Sequence, residues 1–190
     1  MIERDLPAGP GMVARIRFTE RDDGDFRIDA PPPELDAARG AVAAGAWTWL
    51  HQVHGSRVVT VDRPGAECGT DADASVTTVR GAVLSVQTAD CAPVVLVAGG
   101  CVAAVHAGWR GIVGGIVPAT IRAMTEQLRV RPGDLLVAAG PAIRGPHYEV
   151  GPDISGLFPE PFTVPVGDEG EGRVQVDLPS CALAQAAAEG

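Results

Sequence analysis

AVLSVQTADCAPVVLVAGGCVAAVHA, residues 82–107, carries three short apolar runs separated by turn residues. The runs at 82–87, 94–98 and 101–105 have the length of strands. Continuous apolar strands of this kind suit a sheet covered on both faces. Gly99-Gly100, between the last two, is a two-residue hairpin signal.

Working outward, residues 112–128 read as a helix, with Ile116, Ile121, Met124 and Leu128 near helical spacing. Pro118 inside that span implies a kink or a late helix start. Arg131-Pro132-Gly133-Asp134 stops the helix, and 135–139 is a further buried strand ended by the turn Gly140-Pro141. Residues 153–158 read as a short helix, 173–177 as a strand, and 181–188 as the opening of a helix. On the other side, 12–18 reads as a strand, 21–25 as a turn, and Pro31-Pro32-Pro33 as an extended link. A short helix over 34–44 ends at Gly45. Two strands, 47–53 and 57–61, meet near His54-Gly55, and 64–69 is a loop. Strands and helices alternate but hairpins are present. The expectation is therefore an α/β chain of the α+β type, a mixed sheet with flanking helices packed against it.

A chain of 190 residues is most simply one domain, here 1–190. Folding at that length buries roughly 70% of the unfolded chain's surface, so the core needs no staples. The net charge of −9 opposes a phosphate backbone or an anionic membrane surface, so neither nucleic acid nor membrane is an expected partner. No 18-residue apolar stretch is present. The first 30 residues show no apolar run of the signal-peptide kind. The expected setting is the cytoplasm, where Cys68, Cys91, Cys101 and Cys181 stay reduced. Without a paired CxxC spacing they form neither a disulfide frame nor a zinc ribbon. The oligomeric state, monomer or homodimer, stays open.

Three residues stand in short, unusual peptides: His54 in His51-Gln52-Val53-His54-Gly55, Cys91 in Thr88-Ala89-Asp90-Cys91-Ala92-Pro93, and His106 in Val105-His106-Ala107-Gly108-Trp109-Arg110-Gly111. Two imidazoles and a thiolate make the ligand set of an open zinc site, three protein ligands with a free position. The same groups also serve as a cysteine nucleophile with a histidine base. Taken singly, a free Cys is most often a small buried hydrophobe. Only the fold brings residues so far apart in sequence together. Their neighbours add weight. Asp90 is placed to orient a ligand or carry a proton. Arg110, at a helix start, attracts an anion or pairs with Asp73 or Asp90. His51, three residues from His54, points to the opposite face of a strand and is left out of the site.

These peptides resemble a known family. Gln52-Val53-His54-Gly55, the run Asp71-Ala72-Asp73-Ala74-Ser75-Val76-Thr77, Thr88-Ala89-Asp90-Cys91-Ala92-Pro93 and His106-Ala107-Gly108-Trp109-Arg110-Gly111 are similar to the motifs of the YfiH-like laccase-domain family. Gly140-Pro141-Ala142-Ile143, Tyr148-Glu149-Val150 and Asp177-Leu178 resemble further motifs in the same order. The family is described both as multi-copper polyphenol oxidoreductase and as purine nucleoside phosphorylase.

The resemblance implies a zinc site of His54, Cys91 and His106, with copper as the alternative. The implied substrates are a purine nucleoside and phosphate. The implied reactions are phosphorolysis of adenosine, inosine or methylthioadenosine, and deamination of adenosine. Cys91, His106, Asp90 and Arg110 are its catalytic residues; Gln52, Arg110 and Arg21 are its substrate-binding residues. Zinc would lower the pKa of a water toward about 7. Copper is less natural, since blue-copper and trinuclear centres together need more histidines than His51, His54, His106 and His147. The implied fold is a mixed α/β sandwich related to cysteine hydrolases of the toxin deamidase type. Two other readings stand beside the zinc enzyme: a non-catalytic zinc-binding interaction module, and a cysteine hydrolase using Cys91 and His106. The chain departs from the family in an abbreviated N-terminal region, where Arg21 stands in for a loop arginine. It also lacks the family's C-terminal strand, so a shortened branch or an incomplete frame is expected.

Overall fold

The computed structural model of the chain describes residues 1–158, 162–165 and 173–190. Twelve strands and five α-helices are described. The strands are β1 (Ile2–Gly9), β2 (Met12–Phe18), β3 (Trp47–Trp49), β4 (Val58–Thr60), β5 (Ala74–Thr77), β6 (Val83–Ser85), β7 (Ala92–Ala98), β8 (Cys101–Ala107), β9 (Leu136–Ala139), β10 (Glu149–Val150), β11 (Thr163–Pro165) and β12 (Val174–Val176). The helices are α1 (Pro32–Val42), α2 (Trp109–Val113), α3 (Ile116–Arg122), α4 (Pro152–Ser155) and α5 (Leu178–Ala188).

The centre is a five-stranded mixed sheet, β4-β5-β8-β7-β9. Its spine is the β7–β8 hairpin, turned at Gly99-Gly100 as the sequence predicts. Both glycines have positive φ, 56° and 82°, which a two-residue turn matching the twist of the strands requires. β5 pairs antiparallel with β8 and parallel with β4. A parallel pair β3–β6, a hairpin β1–β2 and a small sheet β10-β12-β11 flank it.

The strand alternation sorts the core. Ala92, Val94, Leu96 and Ala98 of β7, with Cys101, Ala103, Val105 and Ala107 of β8, face one side. Ile116, Val117, Ile121 and Met124 of the α3 segment close over them, with Leu178, Cys181 and Ala182 of α5. The opposite face carries Pro93, Val95, Val102, Ala104 and His106. There the hairpin β1–β2 and α1 cover it only partly, leaving a cleft of about 1520 Å³ between Phe18, Trp47, Val95 and Ala104.

Several expectations shift, the extended Pro31-Pro32-Pro33 link among them, since Pro32 and Pro33 open α1. The helix expected over 112–128 starts earlier, at Trp109, breaks at Gly114-Gly115 and resumes at Ile116. Pro118 is the third residue of α3, so its missing N–H removes no helical bond; it marks a late start, not a kink. The strand expected over 47–53 is regular only over Trp47–Trp49, with one bridge from His51 to Asp71. β1 escapes the sequence reading because Glu3, Arg4, Asp5 and Pro7 interrupt its apolar pattern; it is a mostly exposed hairpin arm. β5 escapes because Ala74, Ser75, Val76 and Thr77 are small and mixed, yet all four are buried.

Candidate metal centre

His106 is the penultimate residue of β8, and the ladder register sets its neighbours. Val105 pairs with Ala74, so Asp73, one residue before β5, falls opposite His106. The His106 amide donates to the Asp73 carbonyl at 2.7 Å. Directly opposed residues send their side chains to the same face of a sheet. The Asp73 carboxylate thereby meets the His106 ring, Oδ1 lying 2.8 Å from Nδ1. Both are buried, at 0% and 3% exposure.

On the other side of β8, Ala107 pairs with Ala92, which sets Cys91 opposite Gly108. His54 arrives from the turn between β3 and β4. Its φ is +57°, a left-handed conformation uncommon for a residue with a side chain. Asp73 holds that turn too: Oδ1 accepts from the His54 amide at 2.9 Å, and Oδ2 from the Gly55 amide at 2.7 Å and the Val53 amide at 3.3 Å.

The Nδ1/Nε2 and Sγ atoms of His54, Cys91 and His106 thereby lie within 4.8 Å of one another. The two imidazoles meet edge to face, with centroids 4.8 Å apart. Gly108 forms the floor. A Cβ there would sit 3.0 Å from Cys91 Sγ, 3.0 Å from His54 Cδ2 and 3.8 Å from His106 Cε1. Only a residue without a side chain leaves the three groups room to converge.

The electrostatics suit a cation better than a free thiolate. Burial pushes the Cys91 thiol above its ordinary value, and the Asp90 and Asp73 carboxylates add to the rise. An activated nucleophilic cysteine needs the opposite, a depressed value. Burial also lowers the His106 value, against the pull of Asp73, which favours the neutral imidazole that ligates a metal. With Nδ1 turned to Asp73, the His106 nitrogen left to ligate is Nε2. One soft thiolate and two imidazoles match the tetrahedral N/S preference of zinc, with a position left open. This is the one cluster of three such groups among the described residues. His51 lies outside it, paired with exposed Asp71 at 2.7 Å, and His147 sits in the turn Gly145–His147.

The other expected site residues spread outward. Asp90 is exposed beside Cys91 and borders the cleft. Arg110 is exposed in α2, its guanidinium 4.3 Å above the Trp109 ring, and pairs with neither Asp73 nor Asp90. Gln52 also borders the cleft, but its amide is engaged: Nε2 donates to the Gln87 carbonyl and Oε1 accepts from the Gln87 amide, each at 2.7 Å. Arg21 lies in the exposed turn Arg21–Asp23, and no hydrogen bond ties it to His54, Cys91 or His106. Two residues of the site escape the sequence reading. Asp73 is seen only as a motif letter and a possible ion-pair partner, although a lone Asp among small residues before a strand is a signal. Tyr148 is the other. Its phenol is pushed up by burial and by Cys91 and Asp90, against Arg110, which sets it in the field of the centre.

Comparison with known proteins places the chain among relatives. The family described as multi-copper polyphenol oxidoreductase laccase matches residues 28–190. A purine nucleoside phosphorylase of Deinococcus radiodurans is 38% identical over 178 residues, covering 91% of this chain and 66% of its own length. Purine nucleoside phosphorylase SCO2081 of Streptomyces coelicolor is 40% identical over 148 residues, covering 74% and 61%. The chain thus spans less than two thirds of the length of these relatives. Among solved structures, protein NMB0706 of Neisseria meningitidis superposes with a TM-score of 0.75 at 30% identity, covering 100% of this chain and 76% of that one. YlmD of Geobacillus stearothermophilus gives 0.75 at 26% identity, covering 87% and 69%. By its matched span, its motifs and its fold, this chain belongs to the YfiH-like laccase-domain family.

Proposed function

We propose that His54, Cys91 and His106 hold a zinc ion, and that the chain, folding as one unit over 1–190, works on purine nucleosides. The reactions are phosphorolysis of adenosine, inosine or methylthioadenosine, and deamination of adenosine. The observation that carries this reading is the convergence of two imidazoles and one thiol within 4.8 Å. That the relatives bear the name purine nucleoside phosphorylase supports the substrate class.

When bound, zinc supplies the Lewis acidity that makes a water or phosphate oxygen nucleophilic near neutral pH. The chain's own residues supply the rest. In phosphorolysis a phosphate oxygen joins ribose C1′ and the base leaves; in deamination water adds at C6 and ammonia leaves. Both need a proton delivered to the leaving group. Asp90, exposed beside Cys91 at the cleft edge, is the proton carrier. Arg110 faces solvent on the Trp109 ring, where its planar fork can draw in phosphate. The cleft adjoining Asp90 offers apolar surface for a purine. Gln52 fixes the backbone at Gln87, beyond the end of β6, and so shapes the wall rather than the substrate contacts. Arg21 has no part in this reading.

The test is a nucleoside panel in phosphate buffer. Protein stripped of zinc loses turnover and regains it on reloading; Cys91→Ala loses both metal and turnover. Full turnover by metal-free Cys91→Ala would overturn the proposal.

A further inference from the structure

Asp73 is a fully buried carboxylate, and its described ion-pair partner is the His106 ring. Four donors surround it. Oδ1 takes the His54 amide and His106 Nδ1; Oδ2 takes the Gly55 and Val53 amides. Successive amides curled around an anion form a nest, a backbone device for binding negative charge. Here the anion is part of the chain. The left-handed His54, which costs on the order of 1 kcal/mol or more, is what turns these amides inward.

We propose that Asp73 is the positioning residue of the metal centre, one carboxylate that fixes His106 with its proton on Nδ1 and holds His54 in its turn, so that both imidazoles face the thiol before an ion arrives. This rests on the zinc reading above. Three points carry it. Both histidines hang on the same oxygen, Oδ1, the His106 ring by its Nδ1 and His54 by its amide, so one carboxylate sets the position of the two. All four contacts are donors, so an amide in place of the carboxylate would set its own N–H against a backbone N–H. The charges also balance. The carboxylate and a ligating thiolate bring two negative charges, which a divalent cation cancels at a partly buried site. The arrangement extends the carboxylate–histidine–metal pattern to a second ligand, reached through its backbone.

The test is Asp73→Asn beside the unaltered protein. Zinc affinity is measured by competition with a chromophoric chelator, and the fold is checked by circular dichroism. Asp73→Asn should bind zinc roughly 10–100-fold more weakly with the fold intact. In the unaltered metal-free protein, nitrogen-15 NMR of the histidines should find His106 with its proton on Nδ1; free imidazole favours Nε2. In Asp73→Asn that preference should fade, and the 53–55 amides should exchange faster with solvent. An unchanged affinity in folded Asp73→Asn, or His106 carrying its proton on Nε2 in the unaltered protein, would overturn the inference. Should Asp73→Asn fail to fold, the NMR of the unaltered protein still decides it. Absence of zinc binding by the unaltered protein would instead remove the metal reading beneath it.

Discussion

The two histidines of the proposed metal centre are positioned in different ways. His106 sits within β8, where pairing to β5 and β7 on both sides fixes its backbone and burial fixes its ring. His54 sits in a turn, exposed, with a left-handed backbone held by hydrogen bonds to one carboxylate. A ligand carried by sheet register needs no strain. A ligand carried by a turn needs a device to hold it, and Asp73 is that device for one while also touching the other. The comparison predicts that the same loss of metal binding will come with unequal losses of stability.

His106→Ala should show the largest effect. It empties a buried site and leaves Asp73 without its ring donor, a loss of about 2–5 kcal/mol of folding stability, as for a large buried side chain cut to alanine together with one buried hydrogen bond. Urea unfolding of metal-free protein measures it; a cost below about 1 kcal/mol would erase the contrast between the strand and the turn.

β8 also begins in the core, at Cys101, and this end gives a pH test of its rigidity. Burial pushes the Cys101 thiol up to about 11, and that of Cys181 on α5 likewise to about 11. A folded-state value above the unfolded one stabilises the native state below the unfolded value, near 9, and is lost as pH rises through 11. Two units correspond to roughly 2–3 kcal/mol per thiol at the limit. Stability should therefore fall between pH 9 and 11. At pH 8 iodoacetamide should label exposed Cys68 and leave Cys101 and Cys181 untouched until the chain unfolds. Rapid labelling of Cys101 in the folded protein would show that β8 is not the rigid half.

Gly108→Ala tests the floor shared by both ligands. Its φ of −77° and ψ of 166° suit alanine, so the backbone tolerates the change. The new methyl group presses on Cys91 Sγ and His54 Cδ2, the movable tips, rather than on backbone. Zinc affinity should fall about tenfold or more, in the range for a displaced ligand environment, while the fold loses less than about 1 kcal/mol. Equal losses in both would mean the floor belongs to the core.

The smallest effect is expected at the turn itself. His54→Gly removes one group of the proposed centre but relieves the left-handed backbone. The relief and glycine's greater unfolded-state entropy are of similar size, so stability should stay within about 0.5 kcal/mol of the original. A larger loss would show that the His54 ring, and not Asp73, holds the turn.

This contrast also explains what could be read in advance. The β7–β8 hairpin is legible because its apolar runs and Gly99-Gly100 each point the same way. His54, Cys91 and His106 stand out in the sequence only through the ordered motifs that hold them; taken singly, each reads as structural. The role of Asp73 is not legible, because it comes from register: nothing in the sequence says that it falls opposite His106. Gln52 reads in the sequence as a substrate contact; its pairing with the Gln87 backbone becomes visible only in the fold. β5 hides in small residues whose burial only the sheet explains.

The central claim is that these three residues hold one metal ion. Anaerobic titration of the metal-free protein with cobalt(II) tests it, with zinc displacing the cobalt at the end. A single tight equivalent should bring up a thiolate-to-cobalt charge-transfer band, and that band should be absent in Cys91→Ser. Failure to bind one tight equivalent, or an undiminished band in Cys91→Ser, would contradict the assignment of His54, Cys91 and His106 as the metal centre.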